Sequence, residues 1–253
     1  MLTKTNIKSA ILNSDISPYF QPQFDVGTNR IMGFEALIRW KKNDEEILAP
    51  SYFLDSIYKF NLSSLLFEHT LSKTINLHKT LLDNNRNFKF SINVNAKDLL
   101  GKSDIVEVLK QHSRAHCISE RMLTLEITEG EPLFMSEKTI ENLDRIQNLG
   151  VAISFDDMGT GYASAINFIE GNYNELKLDR KFVRLMHTNT KAVALIESLV
   201  YLSRRLNIPL IAEGVETRKD YDKLISLGCH RLQGYYLSPP LSKEQVELAF
   251  IRS

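Results

Sequence analysis

The sequence predicts an α/β fold, a (β/α)8 barrel of the TIM type with one antiparallel strand, from three observations. Short apolar runs alternate with helix-length segments along most of the chain, which is typical of parallel strands covered by helices. The 253 residues are about the length of one such barrel. Most of the runs also carry an acid, an amide or a lysine at or near their C-terminal end.

Eight strands are predicted from apolar or alternating runs bounded by turn residues. The first two are joined by Gly27–Asn29, a connection too short for a parallel crossover, which needs about a dozen residues. They therefore form an antiparallel hairpin, and one strand runs against the rest. The predicted strands span residues 18–26, 31–40, 87–95, 122–128, 151–157, 175–179, 209–214 and 231–237.

Helical patterns fill the intervals between these strands. Apolar residues recur close to a 3.6-residue period over residues 65–82. A second helix is predicted from Ser136 to a C-terminal glycine, Gly150, and a third from Thr217 to Gly228.

Polar and apolar residues alternate along the central strands. Ser91, Asn93 and Asn95 share one face of their strand, and the apolar residues between them share the other. We expect the apolar face to meet the helices and the polar face to line the barrel. Buried charges are unfavourable unless they are paired or bind a cation. The alternative, a set of antiparallel strands with one solvated face, would leave the intervening helices nothing to cover.

The polar residues at the strand ends form one candidate site. In a closed barrel the C-terminal ends of parallel strands meet at one mouth, where such barrels keep their chemistry. Five carboxylates, two amides and one lysine in this position indicate a divalent-metal site that hydrolyses a phosphate ester. The members are Glu35, Asn93, Glu126, Asp156, Asp157, Lys177, Glu213 and Gln233.

Composition argues against some classes of function. The net charge is zero and the isoelectric point is about 7, so no overall basic field attracts a nucleic acid polymer or an anionic membrane. Cys117 and Cys229 have no metal-ligand spacing and indicate a reducing compartment. Neither a signal peptide nor an apolar run of 18 residues is evident. We expect a cytoplasmic single domain over residues 1–253, with residues 1–16 as an N-terminal extension or helix.

Eight motifs, taken together and in order, carry a family resemblance. Glu35-Ala36-Leu37 lies in GFEALIRW, and the others are YFQPQFD, SINVN, LEITE, DDMGTGYAS, LKLDRKFV, IAEGVET and QGYYLSPP. They resemble the signatures of EAL-domain phosphodiesterases, which linearise the bacterial second messenger cyclic di-GMP. The resemblance covers nearly the whole chain and implies the same barrel with one antiparallel strand.

The resemblance implies two metal ions in the active site, Mg²⁺ or Mn²⁺, which suit hard oxygen ligands. It also implies that Glu213 is either a metal ligand or a general base, and the sequence leaves these roles open. The first metal would be held by Glu35, Asn93, Glu126 and Asp156, and the second by Asp156, Asp157 and Glu213.

Further catalytic roles follow from the same resemblance. Lys177 would orient the attacking water, or else form a barrel salt bridge to a neighbouring acid. Gln233 would position the metal cluster. Glu129 would hold the glycine-rich loop that contains Asp157. Glu216 would add a hydrogen bond, unless it is only a solvated loop acid.

Four residues are implied in binding substrate. Gln21, Leu37 and Arg39 match substrate-contacting positions, and the planar guanidinium of Arg39 suits a phosphate oxygen. Tyr235 would stack on a guanine, although an aromatic residue at a barrel rim can instead serve packing.

The implied activity is metal-dependent hydrolysis of cyclic di-GMP to the linear dinucleotide pGpG. We expect a stand-alone catalytic unit, without room for a sensor or cyclase domain, and a homodimer is left open. Two alternatives stay open as well: a non-catalytic cyclic di-GMP receptor or protein-binding regulator on the same fold, and another two-metal phosphoesterase.

Overall fold

The computed structural model describes residues 2–42, 46–100, 104–128, 136–156 and 165–251. Within these ranges the strands are β1 (Ile16–Asp25), β2 (Arg30–Lys41), β3 (Ile47–Leu48), β4 (Lys89–Asn95), β5 (Leu123–Thr128), β6 (Ala152–Phe155), β7 (Glu175–Leu178), β8 (Leu210–Ala212) and β9 (Arg231–Leu232). The α-helices are α1 (Lys4–Leu12), α2 (Leu54–Lys59), α3 (Ser63–Asp83), α4 (Ala96–Leu99), α5 (Ile105–His116), α6 (Glu137–Asn148), α7 (Ala165–Glu170), α8 (Arg180–Leu185), α9 (Thr190–Leu206), α10 (Arg218–Ser226) and α11 (Lys243–Ile251). Short 3₁₀ turns span Pro50–Tyr52 and Glu120–Met122.

Eight of these strands close into a barrel. Their order around it is β1, β9, β8, β7, β6, β5, β4 and β2, and pairing of β1 with β2 completes the circle. The strands from β4 to β9 pair in parallel with their neighbours, and β2 pairs in parallel with β4. β1 runs antiparallel to both β2 and β9. The predicted barrel with one antiparallel strand is confirmed, and the alternative of antiparallel strands with one wet face is wrong.

The hairpin of β1 and β2 sets the register of two candidate site residues. Gln21 on β1 lies opposite Glu35 on β2, so both side chains project from the same pleat of the sheet. The connecting turn ends at Asn29, whose φ of 52° is left-handed, a conformation that asparagine tolerates better than most residues. β3 adds two antiparallel residues to the outer edge of β2, too few to give a sequence pattern.

The predicted division of each strand into two faces is confirmed. Phe90, Ile92 and Val94 of β4 are buried in the main apolar core, which also contains buried residues of α3, α5, α6 and α9. Polar residues of opposite parity, such as Glu126 and Lys177, are also fully buried, and they lie on the lumen side of their strands.

The helix ends follow the expected capping chemistry. The hydroxyl of Ser136 accepts a hydrogen bond from the first turn of α6, and the hydroxyl of Thr217 does the same for α10. Gly150 and Gly228 adopt φ angles of 96° and 85°, which suit a glycine just past a helix.

The N-terminal segment includes a helix that belongs to the barrel's packing. The hydroxyl of Thr3 caps α1, which buries Ile7 and Ile11. These side chains share a second apolar cluster with Trp40 at the end of β2 and with Phe53.

Several strands end earlier than predicted. β6, β8 and β9 end at Phe155, Ala212 and Leu232, where the patterns extended to 157, 214 and 237. Beyond β8 and β9 one further backbone bond continues each ladder, from Glu213 N to the carbonyl of Leu178 and from Gln233 N to the carbonyl of Ala212. The chain turns away from the sheet after these two residues. Within the described ranges no helix is both long and apolar enough to cross a membrane.

Candidate active site

The centre of the mouth is a buried lysine surrounded by acids. Lys177 on β7 has no exposed surface. Its Nζ lies 2.5 Å from Glu213 Oε1, 2.7 Å from Glu126 Oε2 and 3.3 Å from Glu35 Oε2. Because these four residues come from β7, the end of β8, β5 and β2, the barrel brings together side chains that are far apart in sequence.

Two amide side chains fix the carboxylate of Glu35. Asn93 Nδ2 donates to Glu35 Oε1 at 3.0 Å, and Gln233 Nε2 donates to Glu35 Oε2 at 2.5 Å. Gln233 also donates to Gln21 Oε1 at 3.3 Å, and Gln21 Nε2 donates to the carbonyl of Ser238 at 3.1 Å. A hydrogen-bonded row therefore runs from the loop at Ser238 to Glu35.

If every acid of this cluster were ionised, its charges would not balance. Burial lowers the pKa of Lys177, but the adjacent carboxylates, Glu126 foremost, raise it well above its ordinary value. Burial, and then the charge of Glu35, raise the pKa of Glu126 well above normal, against the effect of Lys177. Burial likewise raises the pKa of Glu213 to about 8. For Glu35, burial is outweighed by Lys177 and by hydrogen bonds with Gln233, Glu126 and Asn93, so its pKa is lowered. One ammonium cannot neutralise several buried carboxylates.

The oxygen atoms of this cluster are chemically suited to bind a divalent cation. Glu126 Oε1 is buried and has no hydrogen-bond partner among the described residues, which is unusual for a charged oxygen. The surrounding donors are carboxylate and amide oxygens, the ligands of Mg²⁺ and Mn²⁺. Across the described ranges, no three acid, histidine or cysteine side chains are already gathered as a metal cage. The acids are gathered around Lys177 instead.

Three further predicted site residues, Asp156, Asp157 and Glu129, follow the ends of β6 and β5 in sequence. Asp156 directly follows β6 and is partly exposed, and its charge acts on Lys177, Glu126 and Glu213. It therefore lies near the cluster. Asp157 and Glu129 are outside the described residues, so their predicted roles stay predictions.

Of the predicted substrate residues, Gln21 and Leu37 lie next to members of the cluster, Gln21 through its bond from Gln233. Leu37 lines a cavity of about 240 Å³ together with Glu35 and Asn93. The wall of this cavity is largely apolar and includes Leu54 and Phe67, as expected for a small-molecule site with a few polar groups.

The other two rim residues are more exposed. Arg39 is partly buried and donates from Nη1 to the carbonyl of Ile38 at 2.9 Å. Tyr235 is 63% exposed, which disagrees with the packing alternative. Glu216 is also exposed and pairs with Arg184 at 2.7 Å, so it contacts α8 and not the buried cluster.

Sequence reasoning missed two supports of this site. The carbonyl of Ser238 carries no sequence signal, because any residue offers one. Asp220 accepts hydrogen bonds from the backbone of Glu216 and Thr217. It could have been found, since an acid three residues after Thr217 is the pattern of a capping box.

The fold and the mouth define the class of protein: a barrel with a buried acid–lysine cluster at the C-terminal ends of its strands. Residues 4–240 match the family described as EAL domain. The chain belongs to this family. Because the match extends over nearly all of the barrel, the resemblance drawn from the eight motifs is confirmed.

Relatives of known name support the same family. The chain is 30% identical over 232 residues to "Cyclic di-GMP phosphodiesterase RocR" of Pseudomonas aeruginosa, covering 92% of this chain and 59% of RocR. It is 28% identical to "Cyclic di-GMP phosphodiesterase PdeL" of Escherichia coli, covering 95% of this chain and 67% of PdeL. The chain thus spans only part of these proteins, and about a third of several others.

Solved structures agree with the fold over its full extent. "PaMucR Phosphodiesterase, c-di-GMP complex" superposes with a TM-score of 0.87 at 28% identity, covering 96% of this chain and 98% of that one. An EAL domain protein from Listeria monocytogenes EGD-e superposes with a TM-score of 0.81 at 29% identity, covering 100% and 99%.

Proposed function

We propose that this protein hydrolyses cyclic di-GMP to linear pGpG in the cytoplasm, using two divalent cations, Mg²⁺ or Mn²⁺. One observation carries the proposal: Lys177 and the three glutamates around it form an intact buried cluster at the mouth of an EAL-domain barrel. Relatives with this domain are named cyclic di-GMP phosphodiesterases. A protein that only bound the dinucleotide would have no need of acids whose pKa values are raised by burial and by one another.

The metal ligands proposed are carried over from the family motifs. Bound Mg²⁺ or Mn²⁺ supplies Lewis-acid stabilisation of phosphoryl oxygens and lowers the pKa of a coordinated water. Asn93 and Gln233 hold the carboxylate of Glu35 in one orientation. The residues proposed as ligands are Glu35, Asn93, Glu126, Asp156, Asp157 and Glu213.

The remaining residues bind and orient. The ammonium of Lys177, fixed by three carboxylates, is placed to orient a water and to stabilise negative charge that develops on the phosphate. This role is compatible with the salt-bridge alternative, because the lysine does form such bridges. Leu37 and Arg39 are proposed to contact the substrate, and Tyr235, exposed at the rim, is proposed to stack on a base.

Two acids near the loops complete the proposal. Glu129 is proposed to hold the loop that contains Asp157. Glu213 is proposed to bind metal or to accept a proton from the attacking water, since its position beside Lys177 suits both.

Hydrolysis is tested by incubating the purified protein with cyclic di-GMP and separating the products by chromatography. We expect pGpG with Mg²⁺ or Mn²⁺ and no product with EDTA. Ca²⁺ should substitute poorly, because its longer and looser coordination misplaces ligands set for a smaller ion. Binding without product under every metal condition would favour the receptor alternative.

A further inference from the structure

The turn that carries Glu213 is held from outside the barrel by α8. Arg180, Arg184 and His187 are spaced by four and three residues, so they lie on one face of α8 and of the turn that continues it. This face meets the segment 214–220. We call the three contacts the α8 seam: Arg180 with Gly214, Arg184 with Glu216, and His187 with Asp220.

The first two contacts of the α8 seam differ in kind. A Cβ placed on Gly214 would lie 2.3 Å from Arg180 Cβ, and Gly214 has a φ of 66°. Glycine is therefore required for this close approach. The pair of Arg184 and Glu216 is 2.7 Å long, but its side chains are 59% and 50% exposed. Exposed pairs contribute little, so the third contact is the main polar tie.

Asp220 anchors the turn through its backbone. Its Oδ2 accepts hydrogen bonds from Glu216 N at 3.2 Å, Thr217 N at 2.8 Å and Thr217 Oγ1 at 2.8 Å. Its Oδ1 lies 2.6 Å from His187 Nε2. Burial raises the pKa of Asp220, but the hydrogen bonds from His187 and Thr217 outweigh it and hold the pKa below normal. Both oxygens are therefore used in holding the turn.

The opposite side of the turn is held by the residues after β9. Val215 N donates to the carbonyl of Gln233 at 3.1 Å, and Tyr236 N donates to the carbonyl of Val215 at 3.0 Å. A Cβ on Gly234 would lie 2.2 Å from Val215 O. The turn is thus enclosed between α8 and the backbone of Gln233, whose side chain binds Glu35.

The two ends of the α8 seam connect to two residues of the buried cluster. α8 begins three residues after Lys177, and the seam's first contact, Gly214, directly follows Glu213. We propose that Asp220, supported by His187, is a positioning residue that sets the distance between the Glu213 carboxylate and the Lys177 ammonium. This inference rests on the proposed function, because its kinetic test requires hydrolysis.

The kinetic test compares Asp220→Ala with a matched change on the same helix, Asp222→Ala. Asp222 pairs with Arg218 on the exposed surface of α10 and does not touch the turn. We expect Asp220→Ala to lower kcat by roughly ten- to a hundredfold, because a misplacement of about 1 Å can cost 10²-fold, and to leave KM within about twofold. Asp222→Ala should match the wild type. Asp220→Asn keeps an acceptor oxygen and should restore most of kcat.

A second measurement needs no substrate. Hydrogen exchange at the amides of Glu216 and Thr217, followed by NMR, should be faster in Asp220→Ala and unchanged in Asp222→Ala. If Asp220→Ala does not fold, His187→Ala serves instead, and it should give a smaller loss of kcat and faster exchange.

Two results would overturn the positioning role. One is a wild-type kcat in Asp220→Ala, whatever its exchange rates. The other is a loss of kcat that Asp220→Asn does not restore. A wild-type protein that fails to hydrolyse cyclic di-GMP would contradict the proposed function, while the exchange rates would still show whether Asp220 holds the turn.

Discussion

Glu126 and Asp220 are both buried carboxylates near the mouth of the barrel, yet their surroundings are opposite. Asp220 accepts three hydrogen bonds on one oxygen and contacts His187 with the other. Glu126 contacts Lys177 through Oε2, but its Oε1 has no hydrogen-bond partner in the described part of the chain. Accordingly, the pKa of Asp220 is lowered and that of Glu126 is raised.

The difference indicates what each acid is for. A buried carboxylate whose oxygens are satisfied by the chain stabilises the fold. One that is left unsatisfied among like charges destabilises it, and such groups are concentrated at functional sites. The Asp220 network therefore belongs to the structure of the turn, whereas the Glu126 cluster is arranged for a ligand that brings positive charge.

The largest effect is expected from removing the charge at the centre of the cluster. Lys177→Met keeps an unbranched side chain, one heavy atom shorter, but removes the ammonium that lies among Glu35, Glu126 and Glu213. We expect kcat to fall about 10²–10³-fold, the usual effect of losing one group that stabilises developing charge. Product formation with saturating Mn²⁺ measures this, and circular dichroism checks the fold. Near-normal turnover would show that the lysine is only a structural partner.

A smaller effect is expected on stability at the satisfied carboxylate. Asp220→Ala leaves the partly buried N–H groups of Glu216 and Thr217 without their acceptor, so the free energy of unfolding should fall by about 1–2 kcal/mol. Because the folded pKa of Asp220 is lowered, the part of its contribution that depends on charge is complete above the ordinary value of 3.8. It is lost as pH falls through the folded pKa.

Urea denaturation of both proteins between pH 7 and pH 3 measures this contribution. The difference between wild type and variant should be constant at higher pH and should shrink below pH 3.8. A difference that grew as the pH fell would contradict the assigned direction of the shift.

The smallest effect on the free energy of unfolding, and one of opposite sign, is expected at Glu126, the carboxylate with an unpartnered oxygen. Glu126→Gln removes a buried titratable group, whose pKa is raised by burial and by Glu35, while keeping the shape of the side chain. In the presence of EDTA the free energy of unfolding should rise by about 1 kcal/mol, as is common when a functional site is neutralised. In a separate assay with Mn²⁺ the variant should have lost hydrolysis. Asp222→Asn, an exposed change of the same kind, should stay within about 0.5 kcal/mol of wild type. A lower free energy of unfolding for Glu126→Gln than for the wild type would contradict the inferred difference between Glu126 and Asp220.

The barrel could be predicted because its signals are local. The short connection between β1 and β2 required an antiparallel pair, and the alternation along β4 and β5 showed which face is apolar. The ends of the strands could not be predicted. Glu213 and Gln233 each add one backbone bond beyond the end of their strand, and the chain turns away only after them, where Val215 N bonds to the Gln233 carbonyl. This contact joins segments that are distant in sequence, so no local pattern marks it.

The sequence predicted which residues belong to the candidate site. It did not predict how these residues contact one another. Parallel strands bring their C-terminal ends together, so Glu35, Glu126 and Lys177 were expected to meet. That Lys177 lies among three glutamates at once depends on barrel geometry, which strand patterns do not encode. The α8 seam was missed because its pairs join α8 and the turn after it to the segment 214–220, and no local pattern connects these two parts of the chain.

The central claim is that the unsatisfied acids of the mouth hold a divalent cation. Calorimetric titration of Mn²⁺ into metal-free protein tests it directly. Wild type and Asp222→Asn should bind alike, and Glu126→Gln should bind at least about tenfold more weakly, since loss of even an outer partner of a metal ligand costs roughly 10–100-fold in affinity. Equal binding by all three proteins, or no binding by the wild type, would contradict the account.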